Sequence, residues 1–354
     1  MSKLYSPISI GAIALKHRVA QAPINRLLAD EPGGIPGDRM AEYYGERASD
    51  GGLQIAEATS VSVTGRGFPG APGIYSLAQL AGWRKTTRAV HTKGGRIFLQ
   101  LFHAGRLSHL DLTGGAAPVA PSVVPLQQLV LTNDGWAQVS PHRALMTEEI
   151  PDIINEFRSA SERARSAGFD GVEIHGGDGY LLDQFLRDGS NRRGDNYGGS
   201  IENRARLLHD VVEAVASVWG GDRVGVRLGP TANSRTVTDS DPAATFGYVS
   251  AQMNRFGLAY LHVPDSSTGE AASDKPCLSM PHLRELFRGP LLIAGEFERE
   301  GAEGKVDDDV ADLVAFAHQF ATNPDLPARL AMQLPLKPAD AETAWGTEGL
   351  RASE

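Results

Sequence analysis

Cysteine is nearly missing from this 354-residue chain, in which Cys277 stands alone. One thiol cannot form an internal disulfide, and a cysteine-based metal site is excluded with it. No apolar run reaches the length needed to span a bilayer. The opening Met1-Ser2-Lys3-Leu4-Tyr5-Ser6-Pro7 lacks the apolar centre of a secretory signal. An excess of positive charge is missing too: 43 acidic residues against 34 basic ones give −9 at pH 7. A chain of that sign has no electrostatic reason to seek nucleic acid or an anionic membrane. Histidine pairs of the H-x-H kind are also absent. A metal-dependent hydrolase would want several His and Asp ligands in fixed geometry, so no metal is expected. The remaining expectation is a cytoplasmic enzyme, monomer or homodimer, acting on a small molecule.

Short β-rich apolar runs alternate with amphipathic helical stretches from end to end. Strand candidates are 18–22, 53–58, 96–101, 171–175, 223–228, 259–263, 291–294 and 313–316. Eight such runs separated by helices predict a closed parallel (β/α)8 TIM barrel, α/β in class, rather than an open sheet. Thr147 is placed to cap a helix with Glu148 and Glu149 in its first turn. Ile150, Ile153, Ile154, Phe157, Ala160 and Ala164 form its apolar stripe, and Gly168 stops it. Ser200 caps a second helix carrying Leu207, Leu208, Val211, Val215 and Val218. Residues 114–143, rich in Pro and Gly, read as a hairpin or lid inserted after strand three rather than as a domain linker. The expected organisation is a single barrel domain over residues 1–354.

In parallel α/β proteins, chemistry is assembled at the carboxyl ends of the strands. The richest such end is Gly171-Val172-Glu173-Ile174-His175-Gly176-Gly177-Asp178-Gly179-Tyr180, a strand that stops at a histidine and turns on glycines. An imidazole, a carboxylate and a phenol therefore converge within six residues. The other ends offer Pro23, Ile24, Asn25 and Arg26, then Glu57-Ala58-Thr59. Gln100, Phe102, His103, Gly105 and Arg106 follow strand three, Arg227 strand five and His262 strand six. The set is rich in hydrogen-bond donors and aromatics. His17, His91 and His209 read instead as packing or surface side chains.

These residues resemble the old yellow enzyme family of FMN-dependent ene-reductases along nearly the whole chain. The likeness is carried by Ala22-Pro23-Ile24-Asn25-Arg26, Met40-Ala41-Glu42-Tyr43-Tyr44, Gln100-Leu101-Phe102-His103-Ala104-Gly105-Arg106 and Tyr197-Gly198-Gly199-Ser200-Ile201-Glu202-Asn203-Arg204. The resemblance implies FMN as cofactor and NADPH or NADH as reductant. Pro23, Ile24, Asn25, Ala58, Gln100 and Arg227 would line the flavin ring, with Gln100 on its pyrimidine edge and Arg227 near N1 and O2. Gly295, Glu296, Ala317 and His318 would lie at the phosphate end. Phe68, Phe102, His175, Asp178 and Trp345 would meet the substrate. His175 and position 178 would bind its carbonyl or nitro oxygen, and Tyr180 would protonate the α-carbon of an activated C=C bond.

Three departures from the family pattern carry expectations of their own. Asp178 stands where the family has histidine or asparagine; if ionised it only accepts hydrogen bonds. It could repel enolate-like charge, pair with His175 and keep that ring cationic, be protonated, act as a base, or be a tolerated substitution that leaves the work to His175. His318 replaces the arginine that would grip phosphate, with Glu296, Glu298 and Glu300 crowding the neighbouring loop, so FMN affinity is in doubt. The seventh helix, over 301–309, has two glycines and an acidic run, and is expected to be frayed or short. The alternative reading is a redox-neutral isomerase or cyclase with weak or no FMN binding.

Overall fold

Eight apolar runs close into one parallel barrel in the computed structural model, which describes residues 2–230, 236–265 and 277–338. The strands are β1 (Val19–Gln21), β2 (Leu53–Ser60), β3 (Arg96–Phe102) and β4 (Gly171–Gly176). They continue as β5 (Val224–Leu228), β6 (Tyr260–Pro264), β7 (Leu291–Ala294) and β8 (Leu313–Phe316). Each pairs in parallel with its neighbour in sequence, and β8 closes on β1 with Val314 opposite Val19. Every residue of β2 and β4 is buried, as expected for strands covered on both faces. All eight expected strands are present, with ends displaced by no more than two residues.

Inside the barrel, Ala20, Leu53, Ile55, Phe98, Tyr260, Leu292 and Leu313 form one apolar cluster. It is sealed at the amino-terminal end by a hairpin, Ile8–Ile10 against Ile13–Leu15, which contributes Ile10, Ile13 and Leu15. A Cβ on Gly225 would lie 2.3 Å from the Tyr260 ring, so glycine there makes room for that ring. A larger cluster joins the outer strand faces to the helices. The interior is filled from below by this cluster and hairpin.

The helix Ile150–Ser166 buries Ile150, Ile153, Phe157, Ala160 and Ala164 and ends ahead of Gly168, whose φ is +91°. Thr147 does not cap it. Thr147–Glu149 form a separate 3-10 turn, the Thr147 hydroxyl donates to Asp195, and the Glu149 carboxylate takes the Met146 N–H at 2.8 Å. Arg143 grips the same carboxylate at 2.7 and 2.8 Å, so an ion pair, not a hydroxyl, organises this end. Ser200 does cap Ile201–Trp219, accepting from the Asn203 N–H.

The insertion after β3 carries the antiparallel hairpin Leu129–Thr132 with Gly135–Gln138. It is tied to the strand-end loops by Arg106 to the Val124 carbonyl at 3.2 Å and Arg193 to the Pro121 carbonyl at 3.0 Å. The seventh helix is short but continuous, Arg299–Asp307, contrary to the expectation of fraying. It is held from outside: Tyr5 donates to Glu303 at 2.9 Å, and Ser2 Oγ and the Lys3 N–H donate to Asp307 at 3.0 and 2.7 Å. Those contacts offset the two glycines. No helix among the described residues is long and apolar enough to cross a membrane.

Candidate active site

A cavity of about 430 Å³ opens at the carboxyl ends of the strands. Pro23, Ile24, Asn25 and Leu27 line it after β1, and Ala58 and Phe68 at and beyond the end of β2. Gln100 of β3, His175, Asp178 and Tyr180 at β4, Arg227 of β5, and Ala317 and His318 after β8 complete the wall. Side chains do not fill the space. No residue of the 114–143 insertion lines it.

Strand pairing explains how the polar groups meet. Side chains two apart on a strand share a face, so Glu173 and His175 both point inward. Parallel register sets Gln100 opposite Glu173, His175 opposite Arg227, and Arg227 opposite His262. A continuous hydrogen-bonded row results. Gln100 Nε2 donates to Glu173 Oε1 at 2.7 Å, and Glu173 Oε2 lies 2.9 Å from His262 Nδ1. Arg227 Nη1 lies 3.0 Å from His262 Nε2, and Arg227 Nε and Nη2 donate to Asp178 Oδ2 at 3.2 and 3.1 Å. Arginine can only donate, so His262 Nε2 accepts and its proton sits on Nδ1, facing Glu173. Burial also lowers the pKa of His262, which keeps the ring neutral.

Of the readings open for Asp178, this row disfavours an ion pair that keeps His175 cationic. Burial pushes the His175 pKa down to about 4, and the Asp178 carboxylate recovers only part of that loss. At 3.6 Å, the His175 Nε2 to Asp178 Oδ2 approach is longer than either contact that carboxylate makes with Arg227. The Gly177 N–H points at His175 Nδ1 (3.4 Å), which assigns the proton of the neutral ring to Nε2. Burial alone would raise the Asp178 pKa, but the Arg227 guanidinium outweighs it and the net pKa is lowered. Asp178 is therefore an ionised carboxylate paired with an arginine, neither protonated nor a poised base. Its side chain remains 40% exposed, facing the cavity, and its φ of +59° sets it in the left-handed region.

Tyr180 stands over an aromatic bed. Its ring meets Phe102 edge-on at 4.5 Å, His175 at 5.0 Å and Phe68 at 6.5 Å. Phe102 is fully buried beneath this group rather than lining the cavity. Burial, and secondarily the Asp178 charge, raise the Tyr180 pKa above the ordinary 10.0, so the phenol stays protonated.

At the other end, His318 Nδ1 lies 2.8 Å from Glu296 Oε1. Gly295 and Glu296 sit behind His318 and do not line the cavity. Trp345 lies outside the described residues. Two participants were not expected from sequence, Glu173 and Leu27. A lone carboxylate inside an otherwise apolar strand, in phase with His175, was the available signal for Glu173. Leu27 (φ +53°) carried none.

The loop bearing Leu27 hangs on a buried carboxylate. Glu57 accepts from the Arg26 N–H at 2.9 Å, the Leu27 N–H at 3.2 Å and the Tyr44 hydroxyl at 3.2 Å. Burial nevertheless pushes its pKa up to about 7 from 4.5. A folded-state pKa above the unfolded one contributes stability that is complete below pH 4.5 and lost as pH rises through 7. The swing is of order 3 kcal/mol at 1.36 kcal/mol per pKa unit. Thermal unfolding at pH values either side of that window should show Glu57→Gln losing less stability than the parent as pH rises. Identical pH slopes would contradict this assignment.

Residues 3–337 match the family described as NADH:flavin oxidoreductase / NADH oxidase. The flavin oxidoreductase hxnT of Emericella nidulans is 41% identical, covering 98% of this chain and 95% of the relative. 12-Oxophytodienoate reductase 1 of Oryza sativa subsp. japonica is 40% identical over 97% of this chain and 89% of its own length. Among solved structures, morphinone reductase in complex with tetrahydroNAD aligns at TM-score 0.90 and 42% identity, over 98% and 95% of the two chains. The old yellow enzyme homologue from Zymomonas mobilis aligns at TM-score 0.93 and 40% identity, over 99% and 98%. With a match of this extent and a barrel mouth built as described, the chain belongs to the NADH:flavin oxidoreductase / NADH oxidase family, as an old yellow enzyme-type oxidoreductase using flavin and nicotinamide cofactors.

Proposed function

We propose that this protein is an FMN-dependent NAD(P)H oxidoreductase that reduces an activated C=C bond, as in an α,β-unsaturated carbonyl or nitro compound. The observation that carries the reading is the joint placement of His175, Tyr180 and Arg227 around one unfilled cavity. Its volume of about 430 Å³ falls among ligand pockets, roughly 300–1,000 Å³. The residues present fit a flavin ring. Gln100, one amide N–H given to Glu173, keeps a carbonyl oxygen to accept an imide N–H. Arg227 places a cation where a reduced ring gathers negative charge. Pro23, Ile24, Asn25 and Ala58 supply the remaining wall. Relatives named as reductases of 12-oxophytodienoate and morphinone support the reaction class.

When bound, FMN supplies hydride taken from NADH or NADPH. The chain's own residues handle the rest. His175 donates its Nε2–H to the substrate oxygen, where negative charge grows as hydride reaches the β-carbon. Tyr180 gives its phenolic proton to the α-carbon. Phe68 and the buried Phe102 shape the apolar side of the pocket.

The deciding test is the visible spectrum of the purified protein. A yellow protein that consumes NADPH with cyclohexenone supports the proposal. A protein that stays colourless with added FMN sinks it. A yellow protein that turns an unsaturated substrate over without net reductant favours the redox-neutral alternative. At the phosphate end, Glu296 competes for His318 with any incoming phosphate. His318→Arg is therefore expected to tighten FMN about tenfold, equivalent to about 1.4 kcal/mol. An unchanged Kd in a fluorescence titration would refute the assignment of His318 to phosphate.

A further inference from the structure

The charge balance around the cavity narrows the substrate class, on the reading that this site performs alkene reduction. Among Glu173, His175, Asp178, Arg227 and His262, two carboxylates face one guanidinium, and both imidazoles are neutral. The group therefore carries one net negative charge. Of the two carboxylates, Glu173 is sealed in the barrel, whereas Asp178 opens into the cavity beside the imidazole that would hold a substrate's polar atom.

Asp178 is also held in place. The Gly179 N–H donates to Asp183 at 2.9 Å, and Asp183 is locked in a fully buried ion pair with Arg187, also 2.9 Å. Arg187 reaches on to the Gly229 carbonyl at 2.8 Å, and a Cβ on Gly177 would lie 2.7 Å from the Gly229 nitrogen. With its backbone held on both flanks and its carboxylate bonded twice by Arg227, Asp178 keeps its charge at the cavity wall. Fixed charge of this kind acts without a reorganisation cost.

We infer that Asp178 selects an unsaturated substrate whose activating group is a cationic nitrogen, a C=C–C=N⁺ unit, over a neutral enone. In a neutral enone, hydride arriving at the β-carbon drives the π pair onto oxygen, and the negative charge that develops faces Asp178. In the cationic substrate, the pair neutralises nitrogen, giving a neutral enamine intermediate. Proton transfer from Tyr180 to the α-carbon then restores the C=N⁺ bond. The two electrons come from the reduced nicotinamide, which leaves as its pyridinium. Asp178 attracts the cation most strongly before hydride arrives, so its effect falls on binding and KM more than on kcat.

The test compares the full-length, flavin-loaded protein with Asp178→Asn. Asparagine is as well suited as aspartate to a positive φ, so the loop is retained. Probes are 1-methyl-4-ethylpyridinium and neutral 4-ethylpyridine at mildly alkaline pH, titrated by calorimetry without reductant. The parent should bind the cation about tenfold tighter than the neutral probe, following the cost of a lost charge contact. Asp178→Asn should erase that preference and raise kcat with cyclohexenone. A parent with no preference for the cation, or a variant that keeps it, overturns the inference. Because calorimetry reads the probes directly, a failure of the flavin assignment would show separately, as a colourless protein.

Discussion

Replacing Tyr180 by phenylalanine is expected to slow alkene reduction by about 10²–10⁴-fold, the usual worth of a positioned proton donor. Reduction of the bound flavin by NADPH should proceed at the parental rate, since no proton from the phenol is needed there. The change is clean because the ring rests on Phe102 at 4.5 Å and on Phe68 at 6.5 Å, contacts that phenylalanine keeps. Burial and the neighbouring Asp178 hold the phenol protonated, so the donor is present across the working pH range. Stopped-flow absorbance separates the two half-reactions. Equal slowing of both would remove Tyr180 from its proposed role.

Replacing Arg227 by leucine should cost roughly 1–3 kcal/mol of stability, chiefly by leaving the buried His262 Nε2 without its donor, since the half-exposed Asp178 carboxylate can turn to water. The guanidinium joins Asp178 on one side to His262 on the other, and through His262 reaches Glu173. Leucine would take the ion-pair partner from Asp178 and the donor from His262 Nε2, while Glu173 keeps Gln100 and His262. Burial by itself would lower the Arg227 pKa, but Asp178 and Glu173 raise it overall, so the charge is permanent. Lysine is a poor substitute, because one ammonium cannot span the Asp178 and His262 contacts that the planar fork makes together. Denaturant unfolding of Arg227→Leu, Asp178→Asn and the double variant would measure the coupling, expected at about 0.5–3 kcal/mol. Additive effects would show that the pair contributes nothing to folding.

The elements legible in the sequence were those encoded by local pattern. Strand β4 is a short run, apolar but for Glu173, that ends in His175 and glycines, and Ser200 is followed by a long apolar stripe, so both were placed correctly. Thr147 had the right chemistry for a cap, yet Asp195 takes its hydroxyl and Arg143 holds Glu149. Neither partner could be read from the local sequence. The seventh helix is short, as expected, but it is not frayed. Its own residues predicted a frayed or short helix, and the chain's first few residues hold the short one together.

From sequence alone came the barrel, the strand ends that carry its chemistry, and the identity of His175, Tyr180, Gln100 and Arg227 as the side chains to watch. Each is announced by residues within a few positions of it. Only the tertiary structure decided who pairs with whom. Asp178 meets an arginine 49 positions away rather than the histidine three before it, and Glu173 meets a histidine 89 positions away. Barrel closure sets those meetings through strand register, and burial, a property of the whole fold, sets the protonation of each group.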